Sequence, residues 1–137
     1  MIRRFAVTVC ALALVASIAS AAFAAKGGNK DPVPSALTLN QNPHLGEWVN
    51  FATTYPNSVK NPRIAVNCYQ PDLSGTLVWG QVGLVTDSFK LGGDSSAWLT
   101  NGGDAMCEAD LYNLTWNGNN PQQVDVLVSI FFTAFGA

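Results

Sequence analysis

Two cysteines sit in segments that alternate apolar and polar residues, both with the same inward parity, and no other feature constrains the fold of this chain as much. Arg63 to Tyr69 places Ile64, Val66 and Cys68 on one face, with Ala65, Asn67 and Tyr69 opposite. Ala105 to Thr115 places Cys107, Ala109 and Leu111 on one face, with Glu108, Asp110 and Tyr112 opposite. A period of two is the signature of a strand half-buried in a sheet. Both thiols therefore face the core, and antiparallel pairing of the two strands as neighbours brings them together.

Whether they bond depends on the redox compartment, which the first residues indicate. Arg3 and Arg4 form a positive n-region, Phe5 to Ala21 an apolar h-region, and Ala22-Phe23-Ala24 a small-x-small cleavage site, so residues 1–24 read as a secretory signal peptide. The rival reading is an uncleaved anchor, but the stretch is rich in alanine and weakly hydrophobic for the roughly 20 residues that a span needs. No stable membrane span is expected after cleavage. Cys10 lies in the h-region and leaves with it. In an oxidising compartment the remaining pair, Cys68 and Cys107, reads as a disulfide before a metal site or a reactive thiol. The expected location is outside the cell, at its surface or in the periplasm.

Processing after Ala24 leaves enough chain for one domain and too little for two. The processed chain carries five Lys and Arg against nine Asp and Glu. That sign opposes phosphate binding, which relies on Lys and Arg displacing condensed counterions, and it excludes nucleic acid as the expected partner. Residues 25–34 are polar and rich in Gly and Pro, and read as a flexible N-terminal segment ahead of a domain spanning 35–137.

Within that domain short apolar segments alternate with turn-formers, and none sustains a helical period. Strands are expected at Ser35 to Asn40, Gly46 to Thr54, Arg63 to Tyr69, Leu77 to Val85, Asp87 to Leu91, Ala97 to Thr100, Ala105 to Thr115 and Val124 to Ala134. Gly80 and Gly83 mark the fourth of these as a bulged or edge strand. In the last, Val124, Val126, Val128, Ile130 and Phe132 are expected on the core face. Gln70-Pro71 and Asn120-Pro121 mark loops. The expected fold class is all-β, an immunoglobulin-like antiparallel sandwich of two sheets with one disulfide. The cysteine strands correspond to strands C and F of that lettering, adjacent in one sheet. The bond is thus expected within a sheet, unlike the B-to-F bridge between the sheets of antibody domains.

Four segments carry a resemblance. They are Gly46-Glu47-Trp48-Val49-Asn50-Phe51, the run from Asn61 through Cys68-Tyr69-Gln70, the run Phe89 to Leu99 containing Gly92-Gly93-Asp94-Ser95-Ser96-Ala97-Trp98-Leu99, and Ala105 to Leu111. Over most of residues 45–135 the chain resembles uncharacterised secreted bacterial proteins, related to phage virion proteins, that carry immunoglobulin-like domains. The resemblance implies that fold and an extracellular or surface setting, and it carries over no catalytic residue.

The residues suited to chemistry are sparse. His44 is the single histidine, in an Asn42-Pro43-His44 turn, and no Ser-His-Asp arrangement can be assembled around it. Asp94 and Asp104 lie in Gly-rich loops that lack the spacing of a calcium loop, so no metal and no cofactor is expected. Glu108 and Asp110, two apart on one strand face, form a carboxylate pair of the kind glycoside hydrolysis uses, but a solvated outer face explains them more simply. Asn113-Leu114-Thr115 fits an N-glycosylation pattern that a bacterial source makes incidental. Trp79, Trp98 and Trp116 lie near strand ends, where capping of the core is expected. The better clue is aromatic. Tyr69 and Tyr112 share outward parity with Asn67, Asp110 and Ser129, and exposed rings among polar groups bind sugars or anchor protein partners. The expected ligand-binding residues are Tyr69 and Tyr112 as anchors, with Asn67 and Asp110 orienting polar groups. The expected function is a non-enzymatic, exported binding or adhesion module with a protein or glycan ligand. The rivals are a carbohydrate-binding module and a small secreted hydrolase or inhibitor.

Overall fold

The most regular alternation in the sequence becomes the longest strands. A computed structural model describes residues 33–137, apart from the side chains of 121–123. The expected signal peptide, 1–24, and the expected flexible segment up to residue 32 lie outside the described residues. Strands β4 (Pro62–Gln70), β5 (Thr76–Leu84), β7 (Ala105–Asn117) and β8 (Asn120–Ala134) form an antiparallel sheet in the order β5-β4-β7-β8. Two short antiparallel pairs accompany it: β1 (Ala36–Thr38) with β3 (Ala52–Thr54), and β2 (Trp48–Val49) with β6 (Phe89–Lys90). The expected strand Gly46 to Thr54 is therefore divided, its two halves pairing with different partners.

Cys68 and Cys107 are bonded, and they face each other in the β4–β7 register with their Cα atoms 4.1 Å apart. The bridge lies within one sheet, as the parity of the two strands requires. Ile64, Val66 and Cys68 from β4 join Cys107, Ala109 and Leu111 from β7 in a single buried cluster. The same cluster takes in Leu37, Val49, Phe51, Phe89, Leu91 and Trp98 from the short strands and the connections. Phe51 meets Phe89 edge-on, with ring centroids 5.7 Å apart, the arrangement that the ring quadrupoles favour.

β5 lies at the edge of the sheet, and its register with β4 shifts at Cys68/Tyr69, as its glycines suggest. The last residue of this edge is shielded. The Leu84 N–H donates to the Asp87 carboxylate at 2.7 Å, and the Leu84 carbonyl accepts from the Asp87 N–H at 3.0 Å. A carboxylate that occupies edge groups in this way leaves less of the strand open to another chain.

Two expectations need correction. Ala97 to Thr100 is no strand but part of α1 (Ala97–Asn101). The Ser96 hydroxyl accepts from the Leu99 N–H at 3.3 Å, an N-cap, and Gly102 at φ 63 ends the helix by donating its N–H to the Trp98 carbonyl. Cap and stop outweigh an alternation only four residues long. The second correction concerns β8. Val128, Ile130 and Phe132 pack against the core as expected, whereas Val124 and Val126 are 57% and 56% exposed. The register explains this: Leu111 pairs with Val128 but Tyr112 pairs with Val126, so Leu127 is an extra residue on β8. One inserted residue inverts the parity of everything beyond it.

Candidate functional site

Residues paired across an antiparallel ladder share a face, so the registers define the outer surface of the four-stranded sheet row by row. The rows, from β5 to β8, are Leu77-Tyr69-Met106-Thr133, Gly80-Asn67-Glu108-Phe131, Val82-Ala65-Asp110-Ser129 and Leu84-Arg63-Tyr112-Val126. The four expected binding residues thus do lie on one face. They differ in what surrounds them.

Tyr69 is half-buried beside Met106. The Asn67 amide lies over Gly80, since a Cβ at that glycine would stand 2.6 Å from Asn67 Oδ1. Gly80 therefore supplies the clearance that lets the amide lie flat on the sheet. Asp110 accepts a hydrogen bond from the Ser129 hydroxyl on the next strand, which fixes its orientation. Tyr112 corrects the expectation of a second exposed anchor. It is 8% exposed and stands outside the core cluster, so it is covered on the outer side of the sheet. Parity gives the side of a sheet to which a residue belongs but not the depth at which it sits.

The apolar members of this face are the residues that sequence reasoning missed. Leu77, Val82, Leu84 and Phe131 are all exposed, Val82 at 61% and Phe131 at 57%. Phe131 was within reach, because it alternates with Ser129 and Thr133 on β8. Val82 and Leu84 were not, because assigning their face requires the register with β4. Trp116, expected to cap the core, is also exposed, whereas Trp79 and Trp98 are buried.

Glu108 sits at the centre of the face. Burial, and secondarily the Asp110 carboxylate beside it, raise its pKa above the ordinary value of 4.5. Both carboxylates project to one side of a single strand, which suits them to accept hydrogen bonds from a ligand lying across the sheet. A folded pKa above the unfolded one means that the folded chain binds the proton more tightly. The resulting stabilisation is complete below the ordinary Glu range and is lost as pH rises through the folded pKa. Glu108→Gln should flatten that decline, measured as unfolding midpoint against pH. Asp110→Asn should move the Glu108 titration, followed by carboxyl NMR, towards 4.5 without reaching it, because burial is the larger cause. An unchanged titration would remove Asp110 from the account.

A second cluster, at the end of β4 next to the disulfide, is structural. The Gln70 amide donates to the Gly102 carbonyl at 2.7 Å and to the Asp104 carbonyl at 3.0 Å, and it accepts from Asn101 Nδ2 at 3.3 Å. The Trp98 indole N–H donates to the Gly103 carbonyl at 2.8 Å. Gln70 is thus more than a loop marker: it ties β4 to the connection between α1 and β7. The carboxylates of the two Gly-rich loops also have partners, Asp94 with the Lys90 ammonium and Asp104 with the Gly136 N–H at 2.8 Å. His44 is exposed, 3.4 Å from a Glu47 carboxylate oxygen and tilted against Phe135. Among the described residues no group of three His, Cys, Asp or Glu is placed to hold a metal ion, and no pocket opens. No protein-family model, curated protein or solved structure matches the chain, and the site is read from its own geometry.

Proposed function

We propose that this chain is an exported, non-enzymatic binding or adhesion module, acting at the cell surface or outside it, and that the outer face of its four-stranded sheet is the binding surface. The observation that carries the reading is the exposure of Leu77, Val82, Leu84 and Phe131 around Asn67, Tyr69 and Glu108 on that one face. A sheet face open to water is ordinarily polar, and large apolar groups gathered there mark a surface that a partner covers. An immunoglobulin-like sandwich is the architecture that best suits the chain. The inner face of the sheet shares its core with the short strands, which serve as the second layer. The resemblance to secreted, phage-related immunoglobulin-like proteins is supported by where its motifs meet. Gln70 of the Cys-Tyr-Gln segment hydrogen-bonds the loop that follows the helix carrying Trp98, so these residues define a corner of the fold.

A protein partner is the leading reading, because the aliphatic groups outnumber the exposed rings. A glycan ligand is the second, favoured by the Asn67 amide and the Glu108 carboxylate flanking Tyr69, where a sugar would find a ring face and hydrogen-bonding groups together. Screening the processed domain against glycan arrays and extracellular protein fractions supplies the ligand. Phe131→Ala and Tyr69→Ala should then each weaken binding by about 2 kcal/mol, the scale of an interface hot spot, with the unfolding midpoint nearly unchanged. A ligand that both variants bind as well as the parent would move the site to the loops.

A further inference from the structure

The chain contains two Asn-Gly steps, Asn101-Gly102 and Asn117-Gly118, and the structure places them in opposite chemical situations. We propose that Asn117 is a site of spontaneous deamidation in the folded protein and that Asn101 is protected from the same reaction. The inference is independent of the binding reading above.

The reaction needs the glycine nitrogen as nucleophile and the asparagine side-chain carbonyl as electrophile. The Gly118 nitrogen gives up its proton to solvent base and attacks Asn117 Cγ. The new N–C bond closes a five-membered succinimide, the Cγ–Nδ2 bond breaks, and Nδ2 leaves as ammonia with a proton from solvent. Water then opens the ring at either carbonyl, yielding aspartate or isoaspartate. The sum is one water consumed and one ammonia released, with no change of oxidation state.

Asn117 and Asn120 are the last pair of the β7–β8 ladder, and Gly118 and Asn119 form the two-residue turn between them. All four residues are exposed. Gly118 adopts φ 63 at the first turn position, the place of glycine in a type II′ hairpin. No turn or loop hydrogen bond among the described residues engages its N–H. At the other step each reacting group is held. The Gly102 N–H donates to the Trp98 carbonyl at 2.8 Å, the Gly102 carbonyl accepts from Gln70 Nε2 at 2.7 Å, and Asn101 Nδ2 donates to Gln70 Oε1 at 3.3 Å. Crowding does not separate the two, since a Cβ at either glycine would meet nothing within 4 Å. The difference lies in the hydrogen bonds that must be released before ring closure.

Conversion adds a negative charge at the hairpin tip. The isoaspartate product also lengthens the backbone by one methylene within the Asn117–Asn120 pair, which disturbs a register that the turn sets.

The test is incubation of the folded, disulfide-intact protein in mildly alkaline buffer, followed by peptide mapping with resolution of isoaspartate. Asn117 should convert about tenfold or more faster than Asn101, a ratio equivalent to about 1.4 kcal/mol of extra restraint at Asn101. In the reduced, denatured chain the two should convert at similar rates, and Asn117→Gln should abolish the faster conversion in the folded protein. Equal rates at the two sites in the folded protein, faster conversion at Asn101, or a folded protein in which neither converts while the denatured chain converts both would each overturn the proposal.

Discussion

Replacing Cys68 and Cys107 together by alanine should lower the stability of the domain by about 4 kcal/mol, from the chain entropy that a bridge across 39 residues removes from the unfolded state. For a domain of this size that is a large share of a total of roughly 5–15 kcal/mol. The folded state gives little reason for the loss to be smaller. The two residues face each other in register, both are fully buried, and they lie on the two strands that contribute most of the inner face. Urea unfolding of parent and double variant provides two independent readings. The midpoint should fall, and the m-value should rise because the uncrosslinked unfolded chain exposes more surface. A single Cys68→Ala or Cys107→Ala variant should lose a comparable amount, because either substitution opens the same loop. If the double variant loses less than about 1 kcal/mol, the short strands rather than the bridge hold the two halves of the chain together.

The bridge was legible because two simple signals agreed, an even cysteine count and equal parity on two well-alternating strands. β4 and β7 were legible for the same reason: each carries three or more inward residues without interruption. Elsewhere the alternation was real but misleading. Ala97 to Thr100 alternates as a strand does, yet a serine one residue before it and a glycine two residues after it turn the segment into a helix. That cap and stop stand in the sequence, and giving them more weight than a four-residue pattern would have found α1. Leu127 is different. Nothing in the residues themselves says that β8 gains one position against β7, and without that fact Val124 and Val126 fall on the wrong face.

The candidate surface divides along the same line. Its polar members, Asn67, Tyr69, Glu108 and Asp110, could be named from parity on two strands. Its apolar members come from the flanking strands, whose registers the sequence does not state. Tyr112 marks the limit of parity in the other direction, since an outward residue can still be covered by its neighbours. What turned a polar strip into a mixed surface was the placement of β5 and β8 on either side of it.

Trp98→Ala should cost about 4 kcal/mol, within the range for deleting a fully buried large aromatic. The side chain does two separable things. Its ring fills the core, and its indole N–H holds the Gly103 carbonyl at 2.8 Å in the connection leading into β7. Trp98→Phe keeps most of the volume and removes the hydrogen bond, so it should cost only about 1–2 kcal/mol. Gln70 holds the residues on either side of Gly103, through the Gly102 and Asp104 carbonyls, and Gln70→Ala should cost about 2 kcal/mol, roughly 1 for each bond lost. Because both side chains fix the same short connection, Trp98→Phe and Gln70→Ala should not add. Once one is gone the loop is already loosened, and the second substitution should cost less, with a coupling of about 0.5 kcal/mol or more in a double-mutant cycle. Additive losses would mean that the loop is held independently at its two points, and a Trp98→Ala loss near that of Trp98→Phe would mean that the core collapses around the missing ring without leaving a cavity.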